Sequence, residues 1–155
     1  MQEIPVVLND ALGFNLDRVA KLLRRELTLT LADYDLTLEQ WQIMFVIWNG
    51  GKMLNQQNIT QLTLKDKHSV SRLIKKLEAK GWLEKHPDPN DARIFLVTAT
   101  KKGQTQRATV MEQLYAHFQN LEIGLSQQER LQLLTLLKTI RFCLGDDEKL
   151  ESRSG

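Results

Sequence analysis

Residues Asp66 to Trp82 read D-K-H-S-V-S-R-L-I-K-K-L-E-A-K-G-W, and Leu83 to Thr98 continue L-E-K-H-P-D-P-N-D-A-R-I-F-L-V-T. In the first segment Val70, Leu73, Ile74 and Leu77 recur at i, i+3, i+4 and i+7, one apolar stripe of a helix. Asp66 stands where an N-cap is needed and Gly81 where the helix stops. The opposite face carries Ser69, Ser71, Arg72, Lys75, Lys76 and Glu78. In the second segment Leu83–His86 and Arg93–Thr98 read as strands, the latter rich in β-branched and aromatic residues. The P-D-P-N-D-A between them is dense in turn formers. A basic helix that stops at glycine and runs into a hairpin has the outline of a winged helix-turn-helix.

The flanks extend that outline. Asn55 caps a short helix that turns Ile59 and Leu62 inward. Thr37-Leu38-Glu39-Gln40 is a capping box. It opens a helix that is apolar almost all round from Trp41 to Trp48, the expected buried centre, stopped by Gly50-Gly51. Residues 9–31 read as a long helix capped by Asn9 or Asp10. Its stripe is Leu12, Leu16, Val19, Leu23 and Leu27, widened by Phe14 and Leu22. After Lys101-Lys102-Gly103 another long helix runs to about Leu121, with Ala108, Met111, Leu114, Tyr115, Phe118 and Leu121 as its stripe. A second capping box, Ser126 to Glu129, opens a last helix carrying Leu131, Leu134, Leu136, Leu137, Ile140 and Leu144. The tail from Gly145 is polar and expected to fray.

The predicted class is therefore mainly α: four helices, a β-hairpin wing, two helices. The predicted division is 1–36, an N-terminal dimerisation helix; 37–103, the winged lobe; 104–145, C-terminal dimerisation helices; and 146–155, a disordered tail. The terminal helices carry more apolar stripe than 155 residues bury alone, so a homodimer is expected.

Bulk properties narrow the function. The longest apolar run, Ile43 to Trp48, is far too short to cross a bilayer. The start, M-Q-E-I-P, has no signal-peptide character, and the single cysteine, Cys143, allows no intrachain disulfide, so a cytoplasmic location is expected. Cys143 is read as a small buried apolar residue. No Cys/His metal spacing, phosphate loop or nucleophile–base signature is present, so neither a cofactor nor an enzymatic activity is expected. The net charge of +2 hides an asymmetry. Residues 50–103 hold eleven Lys/Arg against five Asp/Glu, while the rest hold ten against fourteen. A basic block on an acidic body suits a polyanion.

The predicted polyanion is double-stranded DNA. A helix fits the major groove, and its first turns go deepest. That makes Ser69, Ser71 and Arg72 the candidate base readers, with Arg72 suited to a bidentate contact with guanine. His68 is placed to reach a base or phosphate. Lys75 and Lys76 are candidate phosphate clamps, and Lys65, Lys67, Gln56 and Gln57 candidate backbone contacts. In the hairpin, Arg93 suits a narrow minor groove, with Asp91 as its brace. The alternative weighed is a winged helix used for protein–protein contact. The persistence of Arg72, Lys75, Lys76 and Arg93 argues against it.

The same stretch resembles the MarR family (multiple antibiotic resistance regulators). The family pattern of a recognition helix ending L-x-x-x-G-[LW]-[IVL]-x-[RK] appears as Leu77 to Lys85. Its D-x-R wing appears as Asp91-Ala92-Arg93, and its closing strand as Leu96-Val97-Thr98-Ala99-Thr100-Lys101-Lys102-Gly103. The resemblance implies a triangular obligate homodimer straddling a palindromic operator, and most often a repressor released by a small anionic or phenolic effector or by cysteine oxidation. It supports the DNA roles of Ser69, Ser71, Arg72, Asp91 and Arg93. It places Phe14, Arg18, Trp41 and Phe45 where family effector pockets lie. The family's peroxide sensors use a cysteine near the start of the chain, and none stands there.

Overall fold

The computed structural model describes residues 7–50, 53–121 and 124–146. At its centre is α2 (Leu38–Asn49). The Thr37 hydroxyl accepts from the Gln40 N–H at 3.2 Å, and the Gln40 side chain accepts from the Thr37 N–H at 3.2 Å. This reciprocal pairing satisfies two N–H groups that a helix start leaves orphaned. Ile43 and Met44 are fully buried and Trp48 nearly so, as an all-round apolar helix requires. Each such side chain contributes roughly 1.5–3 kcal/mol of hydrophobic stabilisation.

Helix α3 (Gln56–Thr63) and helix α4 (Lys67–Ala79) pack on α2 and on each other. Asn55 caps α3 as expected, and Asn58 answers it to complete a capping box. Ile59 is fully buried and Leu62 partly so. In α4 Val70, Leu73, Ile74 and Leu77 are all buried, so the stripe read from the sequence is the packed face. Gly81 ends the helix at φ +74°, a left-handed conformation that glycine adopts without steric cost. Trp82 N–H bonds to Leu77 C=O and Gly81 N–H to Glu78 C=O, each at 2.9 Å, which is the Schellman closure.

The hairpin strands are β2 (Leu83–Pro87) and β3 (Phe95–Ala99), antiparallel, with Leu83 opposite Ala99 and Lys85 opposite Val97. The second strand begins two residues later than predicted. Arg93 and Ile94 belong to the turn, where their N–H groups are bonded to Asp91. A strand the sequence did not reveal, β1 (Leu54–Asn55), pairs with the other edge of β3 and gives the order β1-β3-β2. Two residues carry no periodicity, so only their partner defines them.

The remaining helices are α1 (Leu12–Leu31), α5 (Lys101–Leu121) and α6 (Gln127–Cys143). Neither Asn9 nor Asp10 caps α1, because both are wound into a 3-10 turn over Leu8–Asp10. The Asn15 side chain donates to the carbonyls of Asn9 and Ala11 instead. Helix α5 starts at Lys101, not after Gly103. Thr100 accepts from the Gly103 N–H at 3.1 Å, which puts Gly103 inside the first turn. Its packed side is Val110 and Leu114 with Met111 and Phe118, whereas Ala108 and Tyr115 are exposed. The capping box of α6 is formed by Ser126 and Glu129 as expected.

Burial falls away along the terminal helices. In α1 Leu31 is buried and Leu27 partly buried, but Leu12, Val19, Leu22 and Leu23 are exposed. No residue of α6 is buried. Cys143 is likewise exposed, contrary to the sequence reading, because nothing among the described residues covers the end of α6. Among the described residues no helix is long and apolar enough to cross a membrane. Residues 1–6, Gly51 and the tail from 147, including most of the segment expected to fray, lie outside the described residues, as does the side chain of Leu121.

Candidate nucleic-acid interface

The outer face of α4 is built from its first turn. Asp66 accepts the Ser69 N–H at 2.9 Å and the Ser69 hydroxyl at 2.6 Å. The Ser69 hydroxyl bond, followed by its N–H, holds the Asp66 carboxyl below its ordinary value. The sequence makes Ser69 a base reader. Its only hydroxyl proton is committed to this cap, so it is a weaker candidate than its spacing suggests. The Gln56 side chain donates to the Lys67 carbonyl at 3.1 Å and so ties α3 to the same turn.

The basic residues separate into two groups. Lys67, Arg72, Lys75 and Lys76 are exposed and, among the described residues, none makes an ion pair within the chain. His68 is exposed beside them, and Gln57 is exposed on the first turn of α3. Three other cations of the lobe are engaged. Lys85 pairs with Glu78 at 2.9 Å, Lys80 with Asp35 at 3.0 Å, and Lys65 with Glu39. Lys65, read from the sequence as a DNA-backbone contact, is thus paired with the first turn of α2. A cation drawn partly out of water is stabilised by such a partner.

At the hairpin tip the Arg93 side chain is 95% exposed. Asp91 accepts the Arg93 backbone N–H at 3.0 Å, and its carboxylate lies 3.9 Å from Nε. The carboxylate thus fixes the turn directly and the guanidinium only loosely. Asp88 reinforces the turn by accepting from Asn90 N–H at 2.7 Å. Between the hairpin, α3 and α4 lies an open groove of about 590 Å³, lined by Gln56, Gln57, Lys67, Ser71, Lys85, Arg93 and Phe95 among others. Ser71 stands on its wall, half-buried, one position before Arg72. Sequence reasoning misses Lys85, although alternation along β2 turns it to this side.

The candidates for an effector pocket form two pairs, one on α1 and one on α2. Phe14 and Arg18 pair along α1, with the guanidinium 6.0 Å from the ring centroid. Trp41 and Phe45 pair along α2, with centroids 5.1 Å apart. The depression between α1 and α2 is lined by other residues, including Arg24, Thr28, Leu29 and Glu39.

The wing is anchored from behind by Trp82, which is buried and packs against Trp48, with ring centroids 6.4 Å apart and planes tilted by 55°. Lys102 from α5 lies 5.7 Å over the Trp82 ring and donates to the Lys80 carbonyl at 2.8 Å. The end of α4, the start of β2 and the start of α5 therefore share one joint.

A model of the MarR family matches residues 34–94, which span the whole of this constellation from α2 to the wing tip. The multiple antibiotic resistance protein MarR of Salmonella typhimurium is 30% identical over 115 residues, 71% of this chain and 76% of that protein. The HTH-type transcriptional regulator SarZ of Staphylococcus haemolyticus is 27% identical over 133 residues, 86% of this chain and 88% of that protein. Among solved structures, a mutant MarR from E. coli complexed with operator DNA matches with a TM-score of 0.77 at 25% identity, covering 87% of this chain and 98% of that one. With the winged lobe, its outward cations and these relatives in agreement, the chain belongs to the MarR family of DNA-binding transcriptional regulators.

Proposed function

We propose that this regulator is a homodimeric repressor that reads a palindromic operator through α4 and the wing. The observation that carries the reading is the division of the cations. Those on the outward face of α4 and at the wing tip lack a strong internal partner, while Lys65, Lys80 and Lys85 are paired within the chain. Unpartnered charge on one face is what phosphate neutralisation needs. Arg72 and Ser71 read base edges in the major groove. Lys67, His68, Lys75, Lys76 and Gln57 grip phosphates and set the register. Arg93 enters the minor groove, and Asp91 and Gln56 shape the backbone that presents these side chains.

The exposed leucines of α1 and α6 form the dimer interface, which spaces two lobes across successive half-sites. The operator is released by a small anionic or phenolic effector. Support for an effector is the partial exposure of Phe14 and Phe45. A cation beside an aromatic ring, as in Arg18 and Phe14, suits an aromatic acid. The protein works in the cytoplasm, where a regulator meets the operator it reads.

Selection of duplexes from a random library tests the reading. A two-fold symmetric sequence should emerge and outcompete a scrambled duplex. Its affinity should fall steeply with salt, because each neutralised phosphate contributes about 0.9 to the log–log slope. No sequence preference, or a flat salt response, would overturn it.

A further inference from the structure

We propose that Glu39 is a positioning residue for DNA reading, tying α1 to the turn that precedes the recognition helix. Glu39 lies in the first turn of α2 and uses both carboxylate oxygens. One accepts from Arg24 of α1 at 2.6 Å, and the other pairs with Lys65 in the α3–α4 turn. Three segments far apart in the chain meet at this carboxylate. The Lys65 side chain is only 15% exposed, against 51% for Arg24. The hydrogen bond from Lys65, and then that from Arg24, lowers the Glu39 pKa despite partial burial. The helix start adds its own attraction for a negative charge.

The location of the turn gives the contact its consequence. Leu64, just before Lys65, holds a left-handed conformation at φ 53°, and Asp66, just after it, caps α4. Displacing Lys65 shifts the residues that set where α4 begins and how it points. Arg24 links the same carboxylate to α1, the helix whose exposed stripe the dimer reading uses. Glu39 thus fixes the angle between the pairing helix and the reading helix without touching DNA. This inference rests on the DNA-binding reading above.

Charge alone predicts the opposite sign, which makes the test sharp. Neutralising an acid near the DNA-facing lobe should tighten binding, and would free Lys65 for a phosphate. The positioning role predicts that Glu39→Gln weakens binding to the duplex selected by the wild-type protein by about fivefold or more, the lower end of typical site-to-site coupling. The salt slope should stay unchanged. Lys65→Met should weaken binding similarly, and the double variant should be no worse than the weaker single variant. Far-UV circular dichroism checks folding. If Glu39→Gln does not fold, Lys65→Met decides alone: weaker binding at an unchanged slope supports the role. Unchanged binding, or a slope reduced by about 0.9 as when one phosphate is no longer neutralised, overturns it. Glu39→Gln binding equal to or tighter than wild type overturns it too. A wild-type protein that selects no duplex would instead remove the DNA reading on which it rests.

Discussion

Gly103→Ala should destabilise this protein even though it replaces a glycine inside a helix. A Cβ built on Gly103 would lie 2.2 Å from the Trp82 carbonyl oxygen, 3.2 Å from the Trp82 carbonyl carbon and 3.3 Å from the Ala99 Cβ. The first clash is with backbone, so no side chain can rotate away. Relief requires a movement of about 1 Å between α5 and the start of β2. The Trp82 carbonyl also accepts the Thr100 N–H at 3.1 Å, and Trp82 itself is buried. Overpacking of this kind costs typically about 1–3 kcal/mol, and breaking that hydrogen bond adds roughly 1 kcal/mol. Helix propensity works the other way, favouring alanine by about 1 kcal/mol. The net expectation is a loss of about 1–3 kcal/mol, and at roughly 2–4 °C per kcal/mol for a chain of this size the melting temperature should fall by about 2–12 °C. Thermal and urea unfolding followed by far-UV circular dichroism measure it. A Gly103→Ala protein as stable as wild type, or more stable, would show that propensity wins and that the α5–wing joint is looser than described.

Leu64→Asn should stabilise the protein. Leucine in a left-handed conformation costs roughly 1–2 kcal/mol, and its side chain is 77% exposed, so little burial is lost. A gain of about 0.5–1 kcal/mol is expected once asparagine's own residual cost is subtracted; no gain in urea unfolding would refute the strain. Leu131→Glu combined with Leu134→Glu places two carboxylates on the uncovered face of α6. The wild-type protein should sediment as two copies at low micromolar concentration and the variant as one, and a dimeric variant would exclude α6 from the interface.

The legible parts of the fold are those written locally. The capping boxes at Thr37 and Ser126, the stripe Val70 to Leu77, and Gly81 each need only a few neighbouring residues, and each appears as the sequence predicts. The parts that sequence reasoning misses depend on distant partners. Strand β1 exists only through its pairing of Leu54 with Val97. The start of α5 is misplaced in the sequence because Gly103 reads as punctuation, when its missing Cβ serves a close approach to Trp82.

The candidate site divides in the same way. Composition marks the basic face, but it does not distinguish Lys65, paired with Glu39 across 26 residues, from Lys67, which is free of such a pair. Nor does it show that the Ser69 hydroxyl is held by Asp66. Spacing suggests Asp91 as a brace for the Arg93 side chain, and its firmer bond is to the Arg93 backbone.

The central claim is that the exposed face of α4 divides into a base reader and phosphate grips. It is tested most directly by measuring base preference at every operator position for wild type, Arg72→Ala and Lys76→Ala. Arg72→Ala should lose about 1–3 kcal/mol of discrimination at one position of each half-site. Lys76→Ala should weaken all sequences alike and flatten the salt slope by about 0.9 for each phosphate it no longer neutralises. An Arg72→Ala protein that keeps the full base preference and affinity of wild type would contradict the account.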